Sequence, residues 1–305
     1  MGVPPPPLRE GMEHDLYKWS LLNQRPALRW PDGSPLALAV IVLVEHVEIY
    51  PPEGLVHPAL TGGFGQLFPF PNLPLLGHRE YGDRVGIFRL LDMLTRHGIA
   101  PSVAIDAMAA ERRPVIVEAS ISAGSEFIAH GISLNRAITT ALRQEDERAY
   151  IAESLDRIRA ATNQPITGWI GPEQCESERT SVLLDEAGID YVCDWPNDEQ
   201  PYFMSTPSRL VSVPPTWGLD DGYAVWGRPN TPDAHADVIR KCSVQLIADG
   251  ETSARSMVII LRPWLSGQSF RIDALEAAFG SIMATGRVWA TTAGEIARAY
   301  RSAAG

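Results

Sequence analysis

The chain alternates short, nearly unbroken apolar runs with longer segments whose apolar residues recur every three or four positions, and most of these segments stop at a glycine. Continuous runs of this length read as strands buried on both faces; the spaced ones read as amphipathic helices. The candidate strands are 36–44 (LALAVIVLV), 101–106, 125–130, 166–170, 189–195, 210–214, 257–262 and 288–292. Helical patterns cover 84–98, 114–124, 145–162, 178–188, 233–250, 271–286 and 293–302. In the first of these, Val85, Phe88, Leu91 and Met93 or Leu94 form the expected apolar face, and Gly98 is the expected stop. The alternation predicts a parallel sheet covered by helices and, with this many units, a closed or nearly closed α/β barrel.

Two long stretches break the rhythm: 48–80, rich in Pro, Gly and Phe, and 196–230, rich in Pro and Trp. Stretches of this kind are usually lids, binding loops or interfaces. The glycine-rich TGGFGQ at 61–66 neither follows a strand nor opens a helix, so it carries little weight as a phosphate loop. A Pro-rich extension, 1–34, precedes a single barrel domain, 35–305, and a chain of 305 residues suits one large α/β unit. A net charge of −11 disfavours nucleic acid and anionic membranes as partners. With no signal-peptide core and no membrane-length apolar run, a cytoplasmic location is expected. Cys175, Cys193 and Cys242 lie too far apart for a zinc ribbon and are odd in number, so they read as small buried hydrophobes.

Active sites of α/β barrels form at the carboxyl ends of the strands, so the residues that end each run carry the chemistry. Those residues are Glu45 and His46, then Asp106, His130, Gly171-Pro172-Glu173, Asp194-Trp195 and Arg262-Pro263-Trp264. Singly, each has a structural explanation: a glutamate reaching solvent, a buried ring with its hydrogen bond satisfied, an aspartate capping the next helix. Gathered at one mouth, they supply carboxylates, imidazoles and a guanidinium for hydrolytic chemistry. His14, His57, His78, His97 and His235 are assigned no role. Motifs for a zinc protease, a serine hydrolase or a P-loop are missing.

These residues also carry a resemblance. Glu45-His46 after the first strand, AHGIS (129–133), GWIGPEQCESERTSVLLDEAGIDYVCDWPNDEQPY (168–202) and LRPWLSGQSFRIDALE (261–276) resemble the polysaccharide deacetylase (NodB homology) superfamily. So does REYGDRVGIFRLLDMLTRHGI (79–99), and the likeness is to the allantoinase-like, cyclic-imide-hydrolase-like branch in particular. The resemblance spans about 35–298 and implies a distorted (β/α)7 barrel. It also marks departures: sugar-deacetylating relatives carry Asp-Asp where Glu45-His46 stands, a second histidine where Leu134 stands, and a histidine where Arg262 stands.

The resemblance implies a hydrolase of non-peptide C–N bonds that opens a small cyclic amide such as an imide, ureide or hydantoin-like ring. Glu45 would activate water, backbone N–H groups or His130 would hold the oxyanion, and His130 or His46 would protonate the leaving nitrogen. Arg262 would clamp a carboxylate or imide oxygen. Asp106, Asn135, Trp169, Pro172, Glu173, Asp194, Trp195 and Trp264 are the candidate substrate contacts. Trp217, Phe64, Phe68 and Phe70 are further candidates for a pocket wall. No cofactor is expected; were a divalent metal such as zinc bound, its ligands would be His46, His130 and Glu45, with Asn135 a poor substitute. The partners expected are a small-molecule substrate and further copies of the chain. Two alternatives stand: a carbohydrate N- or O-deacetylase, and a catalytically inactive homologue that binds a small anion.

Overall fold

The computed structural model describes residues 14–52, 73–227 and 230–304. Seven parallel strands run in barrel order: β1 (Leu36–Val44), β2 (Ser102–Ile105), β3 (Glu126–Ala129), β4 (Gly168–Trp169), β5 (Tyr191–Val192), β7 (Val211–Ser212) and β8 (Arg255–Leu261). β8 returns to pair with β1 over Leu36–Val42, and β6 (Tyr202–Phe203) is an antiparallel addition to β7. β9 (Val288–Ala290) pairs with the first residues of β1, below the place where β2 joins it. Between β7 and β8 the ladder is open. Single hydrogen bonds cross that seam instead, Thr216 N to Val258 O at 2.8 Å and Ser256 N to Glu199 O at 2.8 Å. The distorted (β/α)7 barrel expected from the sequence is therefore present.

The unbroken apolar run of β1 follows from its position. Leu36, Leu38, Val40, Val42 and Val44 face the helices, among them Ile87, Leu90, Met93 and Phe279, while Ala37, Ala39, Ile41 and Leu43 face the barrel interior. Successive side chains point to opposite faces, and here both faces are dry, so neither set can be polar. At the amino-terminal end of the barrel Leu28, Trp30, Ile296 and Ala297 join the interior cluster. Trp30 Nε1 donates to Arg255 O at 2.8 Å, so this part of the extension plugs the barrel floor. Farther out, Tyr17 bridges to Met204 and Arg25 pairs with Asp198.

The first helical pattern departs from expectation. Val85 and Phe88 are partly exposed, and the buried face is Ile87, Leu90, Leu91, Met93 and Leu94. The reason is local: a helix, Leu73–Tyr81, precedes it, and Gly82–Gly86 makes one turn of π-helix before the α-helix Ile87–Arg96 begins. A wider turn shifts the phase of every residue after it. Gly82 and Gly86 let this turn lie against the backbone of the short helix Pro263–Ser266. A Cβ on Gly86 would stand 2.1 Å from Pro263 O. The strand at Tyr202–Phe203 and the helices Leu73–Tyr81 and Ala107–Arg112 lie outside the elements read from the sequence. The stretch 61–66 and Phe64, Phe68, Phe70 and His57 lie outside the described residues. Among the described residues no helix is long and apolar enough to cross a membrane.

Replacing Gly86 by Ala is expected to cost about 1–3 kcal/mol, because the new methyl meets a backbone carbonyl that cannot rotate away. Calorimetric unfolding would show a melting temperature lower by several degrees; an unchanged melting temperature would contradict the close approach.

Candidate active site

The strand ends converge as their positions require. Asp106 N donates to Val44 O, His130 N to Ile105 O at 3.0 Å and Cys193 N to Trp169 O at 2.9 Å, so each outgoing chain continues the sheet for one more bond. Glu45 is at the centre. Its Oε2 accepts from Arg79 Nη1 at 3.1 Å, and its Oε1 lies 3.5 Å from His130 Nε2. Burial raises the Glu45 carboxyl, but His130, Arg79 and Arg262 outweigh it and hold the group at about 2. Glu45 is thus an ionised carboxylate at any ordinary pH.

His130 is oriented from behind. Its Nδ1 lies 2.7 Å from Ile170 O, and a carbonyl can only accept, so Nδ1 carries the proton and Nε2 turns to Glu45. Gly131 follows with φ 72°, a left-handed conformation in which a Cβ would meet Tyr150 Oη at 2.2 Å and the Pro172 ring. This explains the glycine beside the histidine.

His46 takes a different path. Its backbone N–H donates to Asp106 Oδ2, and Asp106 also caps the helix Ala107–Arg112 by accepting from Ala109 N at 2.7 Å. The His46 ring points to Arg113, whose Nη atoms stand 3.4 and 3.5 Å from Nδ1. Arginine only donates, so Nδ1 is the acceptor and the neutral ring keeps its proton on Nε2. Burial, then Arg113 and Arg112, lower His46 to about 4. Arg113 in turn pairs with Asp83 at 2.8 Å, on the π-helical turn. Burial raises Asp83 to about 6 against the pull of Arg113.

Arg262 is less free than its sequence position suggested. Nη1 binds Asp220 Oδ1 at 2.6 Å and Asp221 Oδ1 at 3.2 Å, and its backbone N–H donates to Asp221 Oδ2 at 2.7 Å. Its guanidinium is braced by two aspartates, with Nε left without a partner among the described residues. So braced, its positive charge lowers the carboxyls of Glu45 and Glu173.

Glu173 completes the group. It sits at φ 56°, ψ 20°, a left-handed conformation that costs a non-glycine residue about 1–3 kcal/mol and persists where surroundings enforce it. Burial and the Glu45 charge raise its carboxyl, while Arg262, Arg79 and His130 oppose them. Its Oε1 is buried without a partner among the described residues. Beneath this turn Asp194 accepts from Gly171 N at 2.8 Å, and Trp195 Nε1 donates to Glu176 Oε2 at 3.1 Å. Burial raises Glu176 to about 7 and raises Asp194 as well, with the Glu176 charge adding to the Asp194 shift. These two acids support the turn that carries Pro172 and Glu173.

The candidate tryptophans take separate positions. Trp169 is wholly buried against Tyr150, Trp195 packs on Tyr17, and Trp217 is half-exposed beside Tyr223. Asn135 Oδ1 accepts from Glu48 N at 2.7 Å and so pins the chain leaving β1. Trp264 alone of the candidate tryptophans borders Glu45's partner, with Arg79 Cζ 4.7 Å from its ring centroid. Trp226 and His78 pack on Trp264 at 5.0 and 5.4 Å. Sequence reasoning gave no role to Arg79, Asp83, Arg113, Asp220, Asp221, Glu176, Trp226 or His78. REYGDR was available as a signal, since it pairs an arginine and an aspartate four residues apart ahead of an apolar helix.

The residues do not suit a divalent metal. Among the described residues no three His, Cys, Asp or Glu side chains come together to hold one. His46 faces Arg113, Glu45 faces Arg79, and Leu134 stands where a second histidine would be needed. The candidate ligand set His46, His130 and Glu45 is therefore not assembled, and two buried guanidinium groups stand near the carboxylate a cation would have to share.

Comparison with known proteins agrees with the fold. The polysaccharide deacetylase family profile matches residues 80–192. A Schizosaccharomyces pombe protein named provisionally as a polysaccharide deacetylase is 27% identical over 300 residues, covering 89% of this chain and 92% of its own. Among solved structures, the Puue allantoinase superposes with a TM-score of 0.79 at 23% identity, covering 92% of this chain and 94% of its own. A provisionally named polysaccharide deacetylase from Pseudomonas aeruginosa PAO1 gives a TM-score of 0.77 at 22% identity, over 92% and 95% of the two chains. The resemblance to polysaccharide deacetylases holds in sequence and in fold.

His46 sets a pH dependence of stability. Its folded value of about 4 lies below the ordinary 6.5, so the unfolded chain takes up a proton first. Its contribution is complete above pH 6.5, is lost as pH falls toward 4, and is level below that. Urea midpoints measured across this range should fall less steeply for His46→Gln than for the parent protein. Parallel curves would contradict the buried neutral ring.

Proposed function

We propose that this protein is a hydrolase of non-peptide C–N bonds that opens a small cyclic amide, such as an imide, ureide or hydantoin-like ring, without a metal. The observation that carries the reading is the buried constellation of Glu45, His130, Glu173, Arg79 and Arg262, in which carboxylate and imidazole stand 3.5 Å apart between two guanidinium groups. The polysaccharide deacetylase match and the allantoinase-like fold support the same reaction class.

In this mechanism Glu45 orients the attacking water and draws its proton. A carboxyl held at about 2 does not retain that proton, and His130 Nε2 is the adjacent acceptor. Water oxygen bonds to the ring carbonyl carbon, and the C=O pair moves onto the carbonyl oxygen. As that pair returns, the C–N bond breaks, its electrons go to nitrogen, and the imidazolium proton of His130 follows them. The products are a carboxylic acid, which ionises, and an amide or amine N–H. Ile170 O fixes the His130 tautomer throughout, and Glu45 stabilises the transient imidazolium. Glu173, with its unpartnered Oε1, accepts a ring N–H. Cyclic imides and ureides favour such a site because their carbonyl is activated and their leaving nitrogen is stabilised. Arg79 and Arg262 supply the positive charge.

A second reading is favoured by the family match over 80–192: release of acetate from an N- or O-acetylated sugar by the same steps. It differs in the bond presented, not in the water, the base or the oxyanion.

Purified protein given a panel of cyclic imides, hydantoins, allantoin and acetylated sugars, with and without a strong chelator, decides between them. Ring-opening that survives the chelator is expected, and Glu45→Gln should lower it by about 10²–10⁴. Acetate release alone would transfer the assignment to a deacetylase. Turnover abolished by the chelator would overturn the metal-free mechanism.

A further inference from the structure

Arg79 presents more donors than the structure uses. Nη1 is spent on Glu45, while Nε and Nη2, the two nitrogens along the side of the guanidinium, are buried and without partners among the described residues. Arg79 is 8% exposed, and its face lies on the Trp264 ring at 4.7 Å. Leaving buried cationic donors unpaired is costly, about 1–3 kcal/mol per group and more for a charged one. Such donors persist where a ligand completes them. Trp264 covers one face of the plane and Glu45 takes up Nη1, so the donors left to be completed are those of the Nε–Nη2 edge.

Two parallel N–H groups in one plane match one kind of acceptor best: two oxygens on a single carbon. We infer that the Nε–Nη2 edge of Arg79 is a carboxylate-binding subsite that takes up the oxyanion of the reacting carbonyl and retains the carboxylate product. The inference rests on the hydrolase reading for its place in the reaction. Its binding claim does not need turnover. Ring-opening and acetyl release both end in a carboxylate, so it holds for either substrate. Charge on the carbonyl oxygen is partial in the substrate, full in the tetrahedral intermediate and shared by two oxygens in the product, so the fork binds the later states more strongly. Glu45 keeps the guanidinium from turning, which makes it a positioning partner for Arg79 as well as the water's acceptor.

The test is a titration of the intact protein with sodium acetate at fixed ionic strength, sodium chloride serving as the control, followed by ¹H–¹⁵N signals of arginine Nε–H groups. The Arg79 signal, assigned by its loss in Arg79→Lys, should move saturably with acetate and not with chloride. Trp264 lies under the guanidinium, so tryptophan fluorescence should report the same binding. By that readout Arg79→Lys, which keeps the charge without the fork, should bind acetate about tenfold more weakly or worse. An Arg79 signal unmoved by saturating acetate, an equal response to chloride, or undiminished acetate binding by a folded Arg79→Lys protein would each overturn the subsite. Acetate binding without turnover of any ring or acetyl group would uphold the subsite and remove the hydrolase reading.

Discussion

The site depends on one ion pair, Arg79 with Glu45, formed where solvent does not reach. Neither partner is stable there alone: a buried charge stripped of its counterion costs about 3–5 kcal/mol. Glu45 is delivered by β1, a strand buried along its whole length, and Arg79 by a helix outside the barrel. Their meeting therefore ties the helix Leu73–Tyr81 to the mouth. That docking is made possible by the π-helical turn at Gly82–Gly86 and by the glycines that let it touch the backbone of Pro263–Ser266. Trp264, on that short helix, then serves as the platform for the guanidinium.

Around the pair the electrostatics divide the acidic groups by task. Glu45 is kept charged because three cationic or donating neighbours outweigh its burial. Glu173, Asp83, Asp194 and Glu176 are shifted the other way because burial dominates for them. Separating the proton affinities of neighbouring carboxyls is how a single cavity can both draw protons and hold them. The two imidazoles are divided as well. His130 is fixed by a carbonyl behind it, whereas His46 is held neutral by burial and then by Arg113 and Arg112. Arg79 and the braced Arg262 place two positive charges beside the Glu45 carboxylate.

What the sequence revealed follows from what leaves a periodic trace. The nine apolar residues of β1 announce a strand dry on both faces, and its end marks Glu45 and His46 as residues at the mouth. The remaining strand ends located Asp106, His130, Glu173, Asp194 and Arg262 by the same logic. Arg79 leaves no such trace: it lies in a Pro- and Gly-rich stretch that reads as loop, and its burial depends on contacts with residues almost two hundred positions away. The π-turn likewise has no periodic signature, and it put Val85 and Phe88 on the outside despite their helical spacing. Tyr202–Phe203 is too short to show alternation. Arg262 was found by position, but its bracing by Asp220 and Asp221 depends on how 196–230 folds back across the seam.

The Arg79–Glu45 pair is tested by a pH titration of the Glu45 side chain by ¹³C carboxyl NMR, with the signal assigned through Glu45→Gln. A carboxylate held by Arg79 and His130 stays ionised, its signal unmoved from neutral pH down to the acid limit of the folded protein, consistent with a value of about 2. A Glu45 signal that titrates at the ordinary 4.5 or above would contradict the buried ion pair on which the site depends.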